Sequence, residues 1–305
     1  MTIEVCSLST VVFSWNIFAD IHNISCWGFM RNAFYAGTII ALVAGVTGYF
    51  VVLRRSAFTA HAFSEIGFAG AAAVILVDIA PIYGLLAGSI LGGIGIAILG
   101  RRASNRDTQI GIVLAFSFGL GLLFLSLYSG YETEAYSILF GEILGVSTPM
   151  VYLTAYACAG VLFMVAVLYR PLLFASLDED VAEAKGLPMF VIGMAFMLVV
   201  AVSVSFAVQV TGVLLIFSLM VTPAATASYL ARKPQQAILI SVMIALATTW
   251  SGLFISFYTV YPVSFFITAE AFGLYILVRG TSGALKRRVR PEDLTGSAGL
   301  DGRGG

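Results

Sequence analysis

Apolar runs of about twenty residues, parted by short polar breaks, set the pattern of this chain. Nine of them, near 34–53, 58–78, 83–100, 109–128, 150–169, 189–208, 211–230, 236–257 and 262–279, approach the length needed to cross a membrane. A helix needs about 20 apolar residues to span a hydrocarbon core of roughly 30 Å. The stretch 211–230 follows its predecessor with almost no loop and holds Pro223, which predicts a bent or partly re-entrant segment. The expected fold is therefore an all-α, polytopic integral membrane helical bundle of eight or nine transmembrane helices. Residues 1–28 mix Trp15, Asp20, His22, Asn23 and Trp27 among apolar positions and read as an interfacial segment. Residues 29–280 form the membrane domain, and 281–305 a polar tail whose Gly-rich end has the composition of disorder.

Composition narrows the function classes. Of 305 residues, 60% are apolar and 10% charged, the net charge is zero, and the mean hydropathy is +0.99. Soluble domains carry about 25% charged residues. A cytosolic enzyme, a disordered chain and a nucleic-acid binder are excluded on this ground. Cys6, Cys26 and Cys158 are widely spaced and form no C-x-x-C, so neither a disulfide framework nor a thiolate zinc site is indicated. The first basic residue is Arg31, so the positive start of a cleavable signal peptide is missing.

Lys and Arg placement sets the orientation. With nine spans, Arg54–Arg55, Arg101–Arg102–Arg106, Arg170 with Lys185, Arg232–Lys233 and Arg279 with Lys286–Arg290 all fall on one face, and only Arg31 falls on the other. That face is cytoplasmic, and it includes the C-terminal tail. The outer loop 129–149 carries Glu132, Glu134 and Glu142 among tyrosines, and reads either as a solvated loop or as a docking surface for an extracytoplasmic partner. Glycines inside the spans, among them Gly67, Gly70, Gly84, Gly88, Gly92, Gly93, Gly95, Gly119 and Gly121, predict close helix packing in lipid.

Ionisable groups inside spans cost about 2.5–3.5 kcal/mol each at the centre and mark function by default. The run AFTAHAFSEIGFAGAA places His61 and Glu65 one turn apart on one helix face. An imidazole beside a carboxylate suits a borderline divalent cation such as zinc, manganese or iron. The alternative is a hydrogen bond that satisfies two buried polar groups. Glu270, about eight residues into the last span, is a third ligand, a proton carrier or an uncharged buried acid. Between two spans, FASLDEDVAEAKGLP predicts a short polar cytoplasmic helix capped by Ser176 or Asp178 and ended by Gly186–Pro188. Either it plugs into another protein's groove or it simply connects. There is no G-x-x-x-x-G-K-[ST] for nucleotide and no G-x-S-x-G elbow.

Four runs in this order, GYFVVLRRSAF with its following polar pair, ILFGEILGVS, LDEDVAEAKGLP and GVLLIFSLMVTPAATASYLAR, resemble the membrane permease subunits of bacterial metal-ion ABC importers of the zinc, manganese and iron group. The likeness covers about residues 29–280. It implies a permease of the cytoplasmic membrane that pairs with a second copy of itself. It would have no nucleotide site or cofactor of its own, an ATP-binding ABC subunit beneath and an extracytoplasmic metal-binding protein above. It also implies that the short helix is the coupling helix, with Asp178, Glu179, Asp180, Glu183 and Gly186 meeting the ATPase, and that Glu142 stands where relatives carry an acid. Two positions depart from the family pattern. Relatives show Asp and His four apart where this chain has His61 and Glu65, and Asp-x-Pro-x-Gly where it keeps Pro262 but has Val260 and Ser264 for the Asp and Gly. Two further readings compete: an ABC permease for a metal chelate of siderophore or cobalamin type, and a proton-coupled secondary transporter using Glu65 and Glu270.

Overall fold

The computed structural model describes residues 26–99, 106–128, 139, 141, 143–259 and 261–288. Glu132, Glu134 and Glu142, most of the interfacial segment and the end of the polar tail lie outside them. Among the described residues there are nine long α-helices, one short α-helix, a single 3-10 turn at Ile143–Gly145 and no strand. The long ones are α1 (Gly28–Leu53), α2 (Ala57–Ile75), α3 (Pro81–Leu99), α4 (Arg106–Ser126), α5 (Thr148–Leu177), α7 (Met189–Thr211), α8 (Val213–Leu230), α9 (Pro234–Phe257) and α10 (Val263–Arg288). The short one is α6 (Glu179–Ala184). Eight are long and apolar enough to cross a membrane, and the shorter apolar helix Pro81–Ile96 within α3 accounts for the ninth expected stretch. The chain is a multi-pass membrane protein.

Burial separates an inner from an outer set. Two thirds (67%) of the most apolar window is buried in α1, α2 and α7, against 22% in α4 and 17% in α10. Large apolar side chains such as Phe116, Tyr156, Phe163 and Leu277 stay exposed on the outer set. In water that would be an aggregating surface; in a bilayer it faces lipid at no cost. The central α1 packs on α5, α7, α8 and α9, while α2 packs chiefly on α3 and α4.

Because lipid tails are as apolar as leucine, the bundle is held by close backbone approach and by interhelical hydrogen bonds. A Cβ at Gly88 would stand 2.7 Å from the Ile66 carbonyl oxygen, and one at Gly67 2.6 Å from Ser89 Oγ. Gly70 and Gly84 face each other with no room for a side chain on either. Gly95 and Gly119, by contrast, have nothing within 4 Å and are not contact positions. The Ser89 hydroxyl donates to the Phe63 carbonyl (3.0 Å), Ser205 to Leu85 (3.1 Å) and Ser241 to Gly45 (2.9 Å), so α2–α3, α3–α7 and α1–α9 are each joined by a serine.

The helix break in the stretch 211–230 falls at its start, at Gly212. Helix α8 runs without interruption through Pro223, and the chain bends at Gly212, φ +83°, between α7 and α8. A left-handed φ costs a side-chain-bearing residue roughly 1–2 kcal/mol, which glycine avoids. Two spans can therefore follow one another with a single residue between them.

Candidate functional site

The first site element is the start of α2. Its His61 and Glu65 share a face, as the i,i+4 spacing requires. Nε2 of His61 lies 3.9 Å from Oε1 of Glu65, with the imidazole 30% exposed and the carboxylate 7%. At that separation the two groups do not hydrogen-bond each other. Glu65 Oε2 and His61 Nδ1 are buried and have no hydrogen-bond partner among the described residues. The neighbouring Ser64 hydroxyl does not help, because it donates to the His61 carbonyl at 2.6 Å. The ring of Phe217 from α8 stands against the imidazole, edge-on with centroids 5.2 Å apart.

Two atoms each about 2.1 Å from one ion stand at most about 4.2 Å apart, so 3.9 Å is within reach of a shared cation. No third His, Cys, Asp or Glu joins the pair among the described residues. Glu270 is placed elsewhere: half-buried on α10, it accepts a short hydrogen bond from the Ser251 hydroxyl of α9. The pair could hold a cation through two protein donors only. That suits a passing ion better than a resident one.

The second element is α6. Asp178 caps it, its Oδ1 accepting the Val181 N–H at 3.0 Å, with Glu179 and Asp180 in the first turn. At the other end the Leu187 N–H bonds the Ala182 carbonyl (3.2 Å) and the Gly186 N–H that of Glu183 (2.8 Å), closing a Schellman turn at Gly186, φ +80°. Ser176 is not the cap; its hydroxyl turns back to Leu172. Ala182 is fully buried, and α6 packs on both α5 and α7. Asp178, Glu179, Asp180 and Glu183 are all exposed. Lys185 folds back over the Phe174 ring at 4.9 Å. The free face of α6 is acidic, rigidly capped and mechanically tied to two spans.

A third feature joins segments far apart in the chain. A cavity of about 170 Å³ is lined by Gly141, Ile143 and Leu144, by Thr211 and Leu215 on either side of the Gly212 bend, and by Pro262–Ser264. Three stretches singled out in the sequence thus meet at one place. Pro262 and Ser264, from the segment compared above with Asp-x-Pro-x-Gly, line this cavity.

Residues 27–280 match the ABC 3 transport family. The chain belongs to that family. It is 31% identical over 231 residues to the manganese import system permease protein ScaB of Streptococcus gordonii, covering 75% of this chain and 82% of that one. It is 29% identical over 232 residues to the manganese transport system membrane protein MntC of Listeria innocua, covering 76% and 82%. Among solved structures it is similar to PsaBC from Streptococcus pneumoniae in complex with Fab, with a TM-score of 0.80, 25% identity, and 89% of this chain and 99% of that chain covered. A solved inward-facing transporter of metal-chelate type shares the fold at 14% identity and a TM-score of 0.66. The permease reading of the sequence agrees with these findings.

Two features of the family member's site were not read from its sequence. Phe217 lies in a uniformly apolar run where no periodicity distinguishes a site contact from filler. Gly212 was legible in principle, since two spans with no loop between them require a residue that tolerates a sharp turn.

Proposed function

We propose that this chain is the membrane permease of an ATP-driven importer whose cargo is a divalent transition-metal ion, manganese(II) before zinc or iron. The observation that carries the reading is the pair on α2: a buried carboxylate and a half-buried imidazole 3.9 Å apart, not bonded to each other and each with an unpartnered buried atom, in a chain of this family. A buried carboxylate without a partner is costly. A divalent cation passing between the two side chains relieves that cost for as long as it stays. Relatives named for manganese transport support the choice of metal. They weigh against a chelate, whose supporting structure shares only the fold.

In this mechanism the extracytoplasmic partner hands over the ion, His61 and Glu65 hold it in transit, and ATP hydrolysis in a separate subunit resets the permease. The acidic face of α6 receives the ATPase, and its packing on α5 and α7 passes the motion into the bundle. The outer set offers exposed apolar faces to a second copy of the chain as well as to lipid.

The test is elemental analysis of cells lacking this chain and of the same cells complemented with it. Manganese is expected to fall on deletion and return with the gene; an unchanged content of manganese, zinc and iron overturns the importer reading. A second experiment addresses α6. Changing Asp178, Glu179, Asp180 and Glu183 to their amides or to alanine should reduce co-purification of the ATPase with the permease, with the largest difference from wild type at low salt, because salt screens the wild-type charges. Undiminished co-purification would show that the acids do not make the contact.

A further inference from the structure

We propose that Phe217 is a positioning residue for His61, holding the imidazole in the orientation from which it meets the cation. This rests on the reading of His61 and Glu65 as the transit site. A histidine that binds a metal normally donates its other ring N–H to a carboxylate or carbonyl, and that bond fixes the ring. Here the usual restraint is missing: Nδ1 of His61 is buried with no hydrogen-bond partner among the described residues, and Nε2 is 3.9 Å from the carboxylate. What restrains the ring is steric. The Phe217 ring stands edge-on to it at 5.2 Å, with the planes inclined by 63°. Aromatic contact of this kind is directional, so it selects one ring orientation.

The position of Phe217 in the chain gives the contact a further consequence. It lies one turn into α8, five residues beyond the bend at Gly212, and α8 is joined through that bend to α7. Helix α7 is one of the two spans that carry α6. A change in the angle between α7 and α8 moves Phe217 against His61, so the ring contact places the ligand's orientation under control of the element that the coupling helix touches. The grip on the ion can thereby differ between the two states of the transport cycle, which an alternating-access carrier needs.

The experiment uses the full-length permease in lipid nanodiscs with its ATPase, and manganese(II) alone as probe. Binding is measured by titration, and imidazole ligation by the nitrogen modulation in pulsed electron paramagnetic resonance of the bound ion. His61→Ala should weaken binding and remove the nitrogen signal. Phe217→Ala should weaken binding about tenfold, the lower end of what loss of an orienting partner costs, and alter the nitrogen coupling. Phe217→Tyr, which keeps the ring, should restore both. In the double variant Phe217→Ala adds nothing to His61→Ala, since it acts through that residue. If Phe217→Ala binds and couples like wild type while His61→Ala loses both, the positioning role is wrong and the transit site stands. Additive losses in the double variant also overturn it, because Phe217 then acts somewhere else. If His61→Ala itself binds manganese as wild type does, the site reading fails and this inference falls with it.

Discussion

Cells whose only copy of this permease carries Glu65→Gln are expected to accumulate no more manganese than cells without it, at unchanged membrane expression. Loss of an orienting partner already lowers metal affinity about 10–100-fold, and loss of a ligand costs at least as much. The amide keeps the shape of the side chain but removes the charge that attracts the ion. The substitution also separates function from folding. Glu65 is 5% exposed and its Oε2 has no hydrogen-bond partner among the described residues, so exchanging a buried carboxylate for an amide removes a cost without opening a cavity. The variant should be at least as heat-stable as wild type in detergent. His61→Ala should fail in transport as well. Full manganese accumulation by Glu65→Gln would mean that the pair is structural and that the ion travels by other groups.

Gly48→Ala is expected to produce a large loss of stability for a single methyl group. The Cβ it adds falls inside the van der Waals shell of the Met220 carbonyl oxygen, where α1 crosses α8. That neighbour is backbone, so no side chain can turn aside and the two helices must separate. Overpacking of this kind costs about 1–3 kcal/mol, and Gly48→Leu should prevent assembly altogether. Because α8 carries Phe217, separation should also disturb the imidazole contact. Gly273→Ala is the control: nothing lies within 4 Å of its Cβ, and alanine gains about 0.5–1 kcal/mol in a helix interior. Heating in detergent followed by size-exclusion chromatography reads both. Equal midpoints for Gly48→Ala and wild type would show that α1 and α8 adjust their spacing freely.

Helix positions were legible because a bilayer imposes one rule. Every backbone amide must be satisfied within the helix, and about twenty apolar residues suffice to cross. The α6 ends were legible for an equally local reason, with the start narrowed to Ser176 or Asp178 and the end to Gly186, because such caps act on residues three or four positions away. The His61–Glu65 pair was legible because four residues make one helical turn. Glu270 shows where this kind of reading stops. Its depth in the last span is a sequence fact, but its partner Ser251 lies on another helix, nineteen residues away. Spacing along one helix says nothing about which face of a neighbouring helix it meets. The glycines divide in the same way: Gly88 and Gly95 look alike in the sequence, yet one touches a carbonyl oxygen and the other nothing.

By itself, then, the sequence determined the class, the span count to within one, the short polar helix between two spans and the one-turn spacing of His61 and Glu65. All of these follow from hydropathy, charge bias or contacts within one helical turn. The tertiary structure decided that the helix break lies at Gly212, that Glu270 bonds to Ser251, that Phe217 stands against His61, and that Gly141, Ile143, Leu144, Thr211, Leu215 and Pro262–Ser264 share one cavity. Each of these depends on how helices rotate and cross. In lipid that is fixed by a few glycines and serines meeting across interfaces, with no apolar face to give the direction away.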